Sequence, residues 1–111
     1  MVKIIVMLKR KSGITMEEFS KYWYEEHGPL VLTIMPGVKK YIQNHTVRLT
    51  GGEEPRFDGV VELWFDDLES SHKMSDWYFG DEGKVLRDDE EKFMDRSKMV
   101  GLITDERVIK L

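Results

Sequence analysis

Three of the four segments that read as strands in this chain are apolar on both faces, so the sheet they form must be covered twice. The first of them, Val2-Lys3-Ile4-Ile5-Val6-Met7-Leu8, is β-branched and apolar, and Lys9-Arg10-Lys11-Ser12-Gly13 ends it. The third, Phe57 to Phe65, sets Val61, Leu63 and Phe65 on one face and Val60, Glu62 and Trp64 on the other. The fourth is expected from Met99 to Lys110. The second strand, Val38 to Leu49, is more polar, with Tyr41, Gln43, His45 and Val47 sharing a face. A polar connection, Thr50-Gly51-Gly52-Glu53-Glu54-Pro55-Arg56, joins the second strand to the third as a hairpin.

Helices are marked as clearly. Thr15 is an N-cap with Glu18 as its capping-box partner, and Ile14 and Phe19 stand at the hydrophobic-staple positions. Met16, Phe19, Trp23, His27 and Leu30 then fall on roughly a third of the helix circumference. Gly28-Pro29 is expected to interrupt this helix, which restarts and runs to Ile34 before Pro36-Gly37 stops it. Asp66 or Asp67 can cap a second helix reaching Tyr78. The charged stretch from Asp81 to Lys98 predicts a further helix, mostly solvated, with Asp88-Asp89-Glu90-Glu91 as solvated surface.

The order is βαββαβ, which makes the chain an α+β protein: a ferredoxin-like sandwich with a four-stranded antiparallel sheet and helices on one face. No helix remains for the other face. Two copies packed sheet against sheet would cover it, so the pattern predicts a homodimer through the sheet faces.

Composition narrows the function classes. The 111 residues suit one domain, and 41% hydrophobic residues supply a core. Seventeen basic against twenty-one acidic residues give a charge of −4, which argues against nucleic acid as a partner. No apolar run approaches a membrane span, and Val2–Leu8 is too short for a secretory signal, so no membrane partner and a cytoplasmic location are expected. Without cysteine there is no thiolate nucleophile and no zinc-thiolate site. The three histidines lack metal-ligand spacing, and neither a nucleotide fingerprint nor Gly-x-Ser-x-Gly occurs. No cofactor and no metal are expected.

The leading chemical candidate is His27, in Glu25-Glu26-His27-Gly28-Pro29-Leu30. Histidine exchanges a proton near neutrality, and on the apolar stripe this one points toward the sheet. The alternative is a core histidine satisfied by neighbouring backbone. Tyr41 can orient a carbonyl or phenol, and His45 on the same strand face can act as a second acid or base. Each has a plainer alternative, a core ring and a solvent-facing residue respectively. Trp23, Trp64 and Trp77 are candidate substrate-binding surfaces for a flat ligand, or ordinary core. His72 lies in a polar helix segment and reads as exposed.

Phe19-x3-Trp23-x3-His27-Gly28-Pro29-Leu30-Val31, then Pro36-Gly37-Val38-x2-Tyr41, then Glu91-x-Phe93-Met94-Asp95, resembles the EthD family. That family is linked to ethyl tert-butyl ether degradation. The resemblance spans essentially the whole chain and implies one domain over residues 1–111 that forms a dimeric α+β barrel. Muconolactone isomerases and antibiotic-biosynthesis monooxygenases share that architecture. It also implies a proton-transfer role at the helix-one histidine, which is His27 here. Haem-degrading relatives rely on a strand-one asparagine that Val2–Leu8 lacks.

Two readings follow. One is a cofactor-free enzyme, an isomerase, cyclase, decarboxylase or oxidoreductase-pathway step, acting on a small cyclic or aromatic carbonyl compound with His27 as acid/base. The other is a non-catalytic protein that binds a small hydrophobic or aromatic ligand or assists an oxidoreductase system.

Overall fold

The computed structural model describes residues 1–47 and 51–111. Four strands, β1 (Val2–Leu8), β2 (Lys40–His45), β3 (Gly59–Phe65) and β4 (Val100–Thr104), form one sheet in the order β2-β3-β1-β4. Every neighbouring pair is antiparallel. Helices α1 (Met16–Tyr22), α2 (Gly28–Ile34), α3 (Leu68–Phe79) and α4 (Lys84–Glu90) supply the second layer, which gives the ferredoxin-like arrangement. No described helix is long and apolar enough to cross a membrane.

The capping box forms as the sequence predicts. Glu18 N–H donates to Thr15 Oγ1 at 3.0 Å, and Thr15 N–H donates to Glu18 Oε1 at 3.0 Å. Asp67 caps α3, its carboxylate accepting from Ser70 N–H at 2.8 Å.

The expected break at Gly28-Pro29 does not occur. Residues Trp23–His27 form one wide π-helical turn, and Gly28 continues it with helical dihedrals of −55° and −51°. The Gly28 N–H reaches back five residues to Trp23 O. A proline inside an α-helix lacks a donor and its ring collides with the carbonyl four residues back. The wider turn moves that carbonyl aside, so the chain absorbs Pro29 and stays helical.

Three further boundaries are shorter than expected. The charged stretch is helical only from Lys84 to Glu90, apart from short 3₁₀ turns at Asp81–Gly83 and Arg96–Lys98. It cannot continue because the backbone beyond it is already bonded: Lys11 N–H to Phe93 O at 2.9 Å and Asp95 N–H to Lys9 O at 2.8 Å. Strand β4 ends at Thr104, where the charged Asp105-Glu106-Arg107 leaves the sheet. Strand β2 runs only from Lys40 to His45, so residues 38–39 and 46–47 of its expected range are not strand; 48–49 lie outside the described residues, as does Thr50.

The register decides which side chains meet. Tyr41, Leu63, Ile4 and Ile103 form one row on the helix side, and Gln43, Val61, Val6 and Gly101 the next. His45, Gly59 and Leu8 form the third. Phe19, Trp23, Val31, Met74, Leu86 and Phe93 pack down on these rows as the core. Gly59 is required by this packing, because a Cβ there would overlap the Trp23 ring.

The outer face carries Ile5, Met7, Ile42, Val60, Val100 and Leu102 at alternating positions. Among them Lys3 Nζ bonds to Glu62 at 3.0 Å and Glu106 at 2.6 Å, and it lies 5.0 Å from the Trp64 ring.

Gly59→Ala is expected to lower stability by about 1–3 kcal/mol, because Trp23 must leave its rotamer or push the strand away. Thermal denaturation by circular dichroism checks this, and an unchanged Tm would contradict the close approach.

Candidate active site

The π turn that follows α1 brings His27 onto the sheet-facing side, where the residue is 4% exposed and its ring lies against Phe93, with ring centroids 4.8 Å apart. His27 Nδ1 lies 2.7 Å from Asp89 Oδ2. A carboxylate only accepts, so Nδ1 carries the proton and Nε2 presents its lone pair. Nε2 has no partner among the described residues, and His27 lines a cavity of about 410 Å³ between sheet and helices. That volume lies in the range of small-molecule pockets.

Asp89 is positioned in turn by the Tyr22 hydroxyl, which donates to Oδ1 at 2.5 Å, and by Lys92 Nζ at 3.6 Å. Burial opposes its charge, but the Tyr22 hydroxyl, His27 and Lys92 hold the Asp89 carboxyl below its ordinary value. Burial with the Asp89 bond pushes the Tyr22 phenol up to about 12, so it stays a donor. For His27, burial outweighs Asp89 and holds the imidazole below its ordinary value. At neutral pH His27 is therefore a neutral base, backed by an anion that stabilises the imidazolium formed when it takes a proton.

Tyr41 enters the same cavity from β2. Its oxygen accepts from Gln43 Nε2 at 3.0 Å, and the same amide nitrogen donates to Trp23 O at 2.9 Å. A backbone carbonyl can only accept, so the Gln43 amide has one orientation and the Tyr41 proton remains free to donate. Burial pushes the Tyr41 phenol up, against the Gln43 amide N–H that draws it down. Trp23 Nε1 makes no hydrogen bond within bonding distance and is the one buried side-chain donor so left among the described residues.

The structure separates the other candidates. His45 takes part in a chain with Gln43 Oε1, 2.8 Å from Nε2, and with the Ser20 hydroxyl at Nδ1. It stacks on Trp23 at 4.3 Å and faces a second, more open recess beside Tyr24, Gly28 and Pro29. Burial holds it below its ordinary value. Trp23 lines the main cavity. Trp64 stands on the outer face of the sheet, 4.6 Å from Lys40 Nζ, and Trp77 packs beside the core without lining either space. His72 is exposed.

The acidic run is not all solvated surface. Asp88 and Glu91 face water, whereas Asp89 and Glu90 are 8% and 6% exposed. Glu90 lines the cavity with His27 and Tyr41, and its Oε1 accepts from the Tyr78 hydroxyl and from Arg96 Nε at 3.1 Å. Burial pushes its carboxyl up against those two donors. The spacing held the clue: Leu86, Asp89, Glu90 and Phe93 stand at i, i+3, i+4 and i+7, one helical face whose ends are core residues. Among the described residues, no three His, Asp or Glu side chains gather as a metal-holding group.

Comparisons agree with this architecture. The family profile described as the EthD domain matches residues 11–97. The crystal structure of an ethyl tert-butyl ether degradation (EthD) family protein from Bacillus halodurans is similar, with 27% identity and a TM-score of 0.72 over 96% of this chain and 99% of that one. An Arabidopsis thaliana protein at 12% identity superposes with a TM-score of 0.71 over the whole of both chains. A dimeric protein of ferredoxin-like fold from Bacteroides fragilis has 14% identity and a TM-score of 0.62 over 95% of each. No functionally curated protein matches significantly.

Because His27 is held below about 6.5, its ordinary value, the unfolded chain binds its proton first. That contribution to stability is complete above the ordinary value and is lost as pH falls through the folded value. Asp89→Asn removes the charge that favours the imidazolium, so His27 is expected to titrate lower still. Histidine ring resonances followed by NMR against pH check this, and a higher value in the variant would refute the pairing.

Proposed function

The chain belongs to the EthD family, and from its cavity we propose an enzyme that moves a proton on a small cyclic or aromatic carbonyl compound. The observation that carries this reading is the 2.7 Å bond from His27 Nδ1 to Asp89, which leaves a basic Nε2 in an apolar cavity. The substrate's carbonyl oxygen accepts from the Tyr41 hydroxyl, and Nε2 removes a proton from the carbon beside that carbonyl. The C–H electron pair becomes the enolate, the proton resides on Nε2, and Asp89 balances the imidazolium. Return of the same proton to another carbon completes an isomerisation. In a ring closure the enolate carbon instead attacks a second carbonyl of the same molecule, and the proton passes from Nε2 to the alkoxide so formed. Either course restores neutral His27. The apolar walls strengthen both polar contacts by excluding water. Neither step asks for a cofactor.

The test begins with thermal-shift screening of wild type and His27→Gln against lactones, hydroxylated aromatics and short polyketide mimics. A ligand specific to the native state raises Tm whatever reaction follows its binding. With a compound so found, His27→Gln is expected to remain folded and lose turnover by about 10²–10⁴, the usual worth of a general base. Wild-type turnover in the variant would remove His27 from the mechanism. Binding with no product from the wild-type protein would replace the enzyme with a ligand-binding or accessory protein of an oxidoreductase system.

We also propose that a second copy of the chain covers the outer sheet face. Its support is the row of Ile5, Met7, Ile42, Val60, Val100 and Leu102, with Val100 40% and Leu102 51% exposed in the single chain. The Bacteroides fragilis protein of the same fold is described as dimeric. Light scattering is expected to give twice the 13.1 kDa chain mass, and Leu102→Glu should halve it by burying an unpaired charge. A monomeric wild type would end this assignment.

A further inference from the structure

Within the proposed enzyme cavity, we propose that Glu90 and its Arg96 partner make the site selective for a neutral, hydroxyl-bearing ligand and hostile to carboxylates. The inference rests on the preceding reading that the cavity binds a small molecule. It concerns what that molecule carries.

The charges around the cavity lead to this conclusion. No lysine or arginine is among its lining residues. His27 is held below its ordinary value by burial, so it offers an acceptor and no resident positive charge. The cation bonded to the side chains of two lining residues is Arg96, whose contacts are already made. Its Nε donates to Glu90 Oε1 at 3.1 Å, one terminal nitrogen donates to the Tyr78 hydroxyl at 3.1 Å, and the other lies 3.6 Å from Glu91. The Tyr78 hydroxyl donates to the same Glu90 oxygen, which directs that phenol's proton away from the ligand.

What the wall does present is an acceptor. The second Glu90 oxygen, Oε2, makes no hydrogen bond among the described residues, and the side chain, 8% exposed, lines the cavity. Oε2 and His27 Nε2 are therefore two acceptors on a largely apolar wall, whose uncharged hydroxyl groups are those of Tyr41, Ser75 and the committed Tyr78, with Tyr41 as the donor. A ligand hydroxyl satisfies one acceptor and a ligand carbonyl satisfies the donor. A ligand carboxylate would meet Glu90 as a like charge and would lose its hydration with no cation in return.

Matched probes decide the matter. 2-Naphthol and 2-naphthoate share one ring system, and at pH 7 the first is neutral and the second an anion. Fluorescence titration of the wild type is expected to show naphthol binding about tenfold tighter or more. Glu90→Gln removes the like charge from the cavity wall and leaves Arg96 paired only with the exposed Glu91 at 3.6 Å, so it should tighten naphthoate and bring the two affinities close to equal. Glu91→Gln, which alters the exposed partner of Arg96 outside the cavity, should leave the ratio as in the wild type. Equal binding of the probes by the wild type, or an unchanged ratio in folded Glu90→Gln, would overturn the selectivity while leaving a ligand site intact. Should Glu90→Gln not fold, equal binding of the two probes by the wild type still overturns the selectivity. Binding of neither probe, nor of any compound in the thermal-shift panel, would overturn the ligand cavity itself.

Discussion

One residue, Trp23, joins the parts on which the site depends. Its ring fills the space over Gly59, where any Cβ would overlap it, and stacks on His45 at 4.3 Å. Its carbonyl accepts the Gly28 N–H that closes the π turn and the Gln43 amide that crosses from β2 at 2.9 Å. The ring sets how close helix and sheet come, and the carbonyl fixes the orientation of Gln43. Gln43 then determines which hydrogen of the Tyr41 and His45 network goes where. Gly28 belongs to the same device, because a Cβ there would meet Gln43 Nε2 at 2.9 Å. The π turn is therefore where helical geometry is exchanged for a contact that holds β2 in place.

Much of this order was legible, and the reasons differ by element. Strands β1 and β3 have period-two patterns with strong β-formers, and α1 announces itself by a capping box, so local rules suffice. The continuation through Gly28-Pro29 was not legible, since it depends on a π turn stabilised by Gln43, fifteen residues beyond Gly28. The end of α4 was not legible either, because Lys9 and Lys11 capture the backbone of Asp95 and Phe93 across the molecule. His27 stood out by residue type and position. Asp89 was hidden in a run of four acids, and only its register with Leu86 and Phe93 distinguished it from Asp88.

Asp89 and Glu90 are neighbours in sequence with opposite electrostatic fates. Asp89 is held below its ordinary value and serves His27, while burial pushes Glu90 above its own. Environments that drive two titratable groups apart assign them different tasks. The partners explain the difference: Asp89 meets a phenol, an imidazole and an exposed lysine, whereas Glu90 is deeper and shares one oxygen between Tyr78 and Arg96. Such pairs are retained at a cost in desolvation, and removing one partner of a buried pair typically costs about 3–5 kcal/mol. A core built only for stability would fill those positions with leucine.

The cavity itself follows from where the helices stop covering the sheet. Strand β4 lies at one edge, and Gly101 faces the helix side opposite Val6 with nothing within 4 Å of the place a Cβ would occupy. Ile103, on the same side, is 51% exposed, and Phe79 at the end of α3 is 71% exposed, yet both line the cavity. The space is thus open toward the β4 edge and closed at the other end, where Trp23 and Val31 pack against the sheet. A ligand entering past Phe79 and Ile103 meets apolar surface first and reaches His27, Tyr41 and Glu90 only when desolvated. That sequence favours a molecule with an apolar body and one or two polar groups, since hydration is surrendered before any hydrogen bond is made.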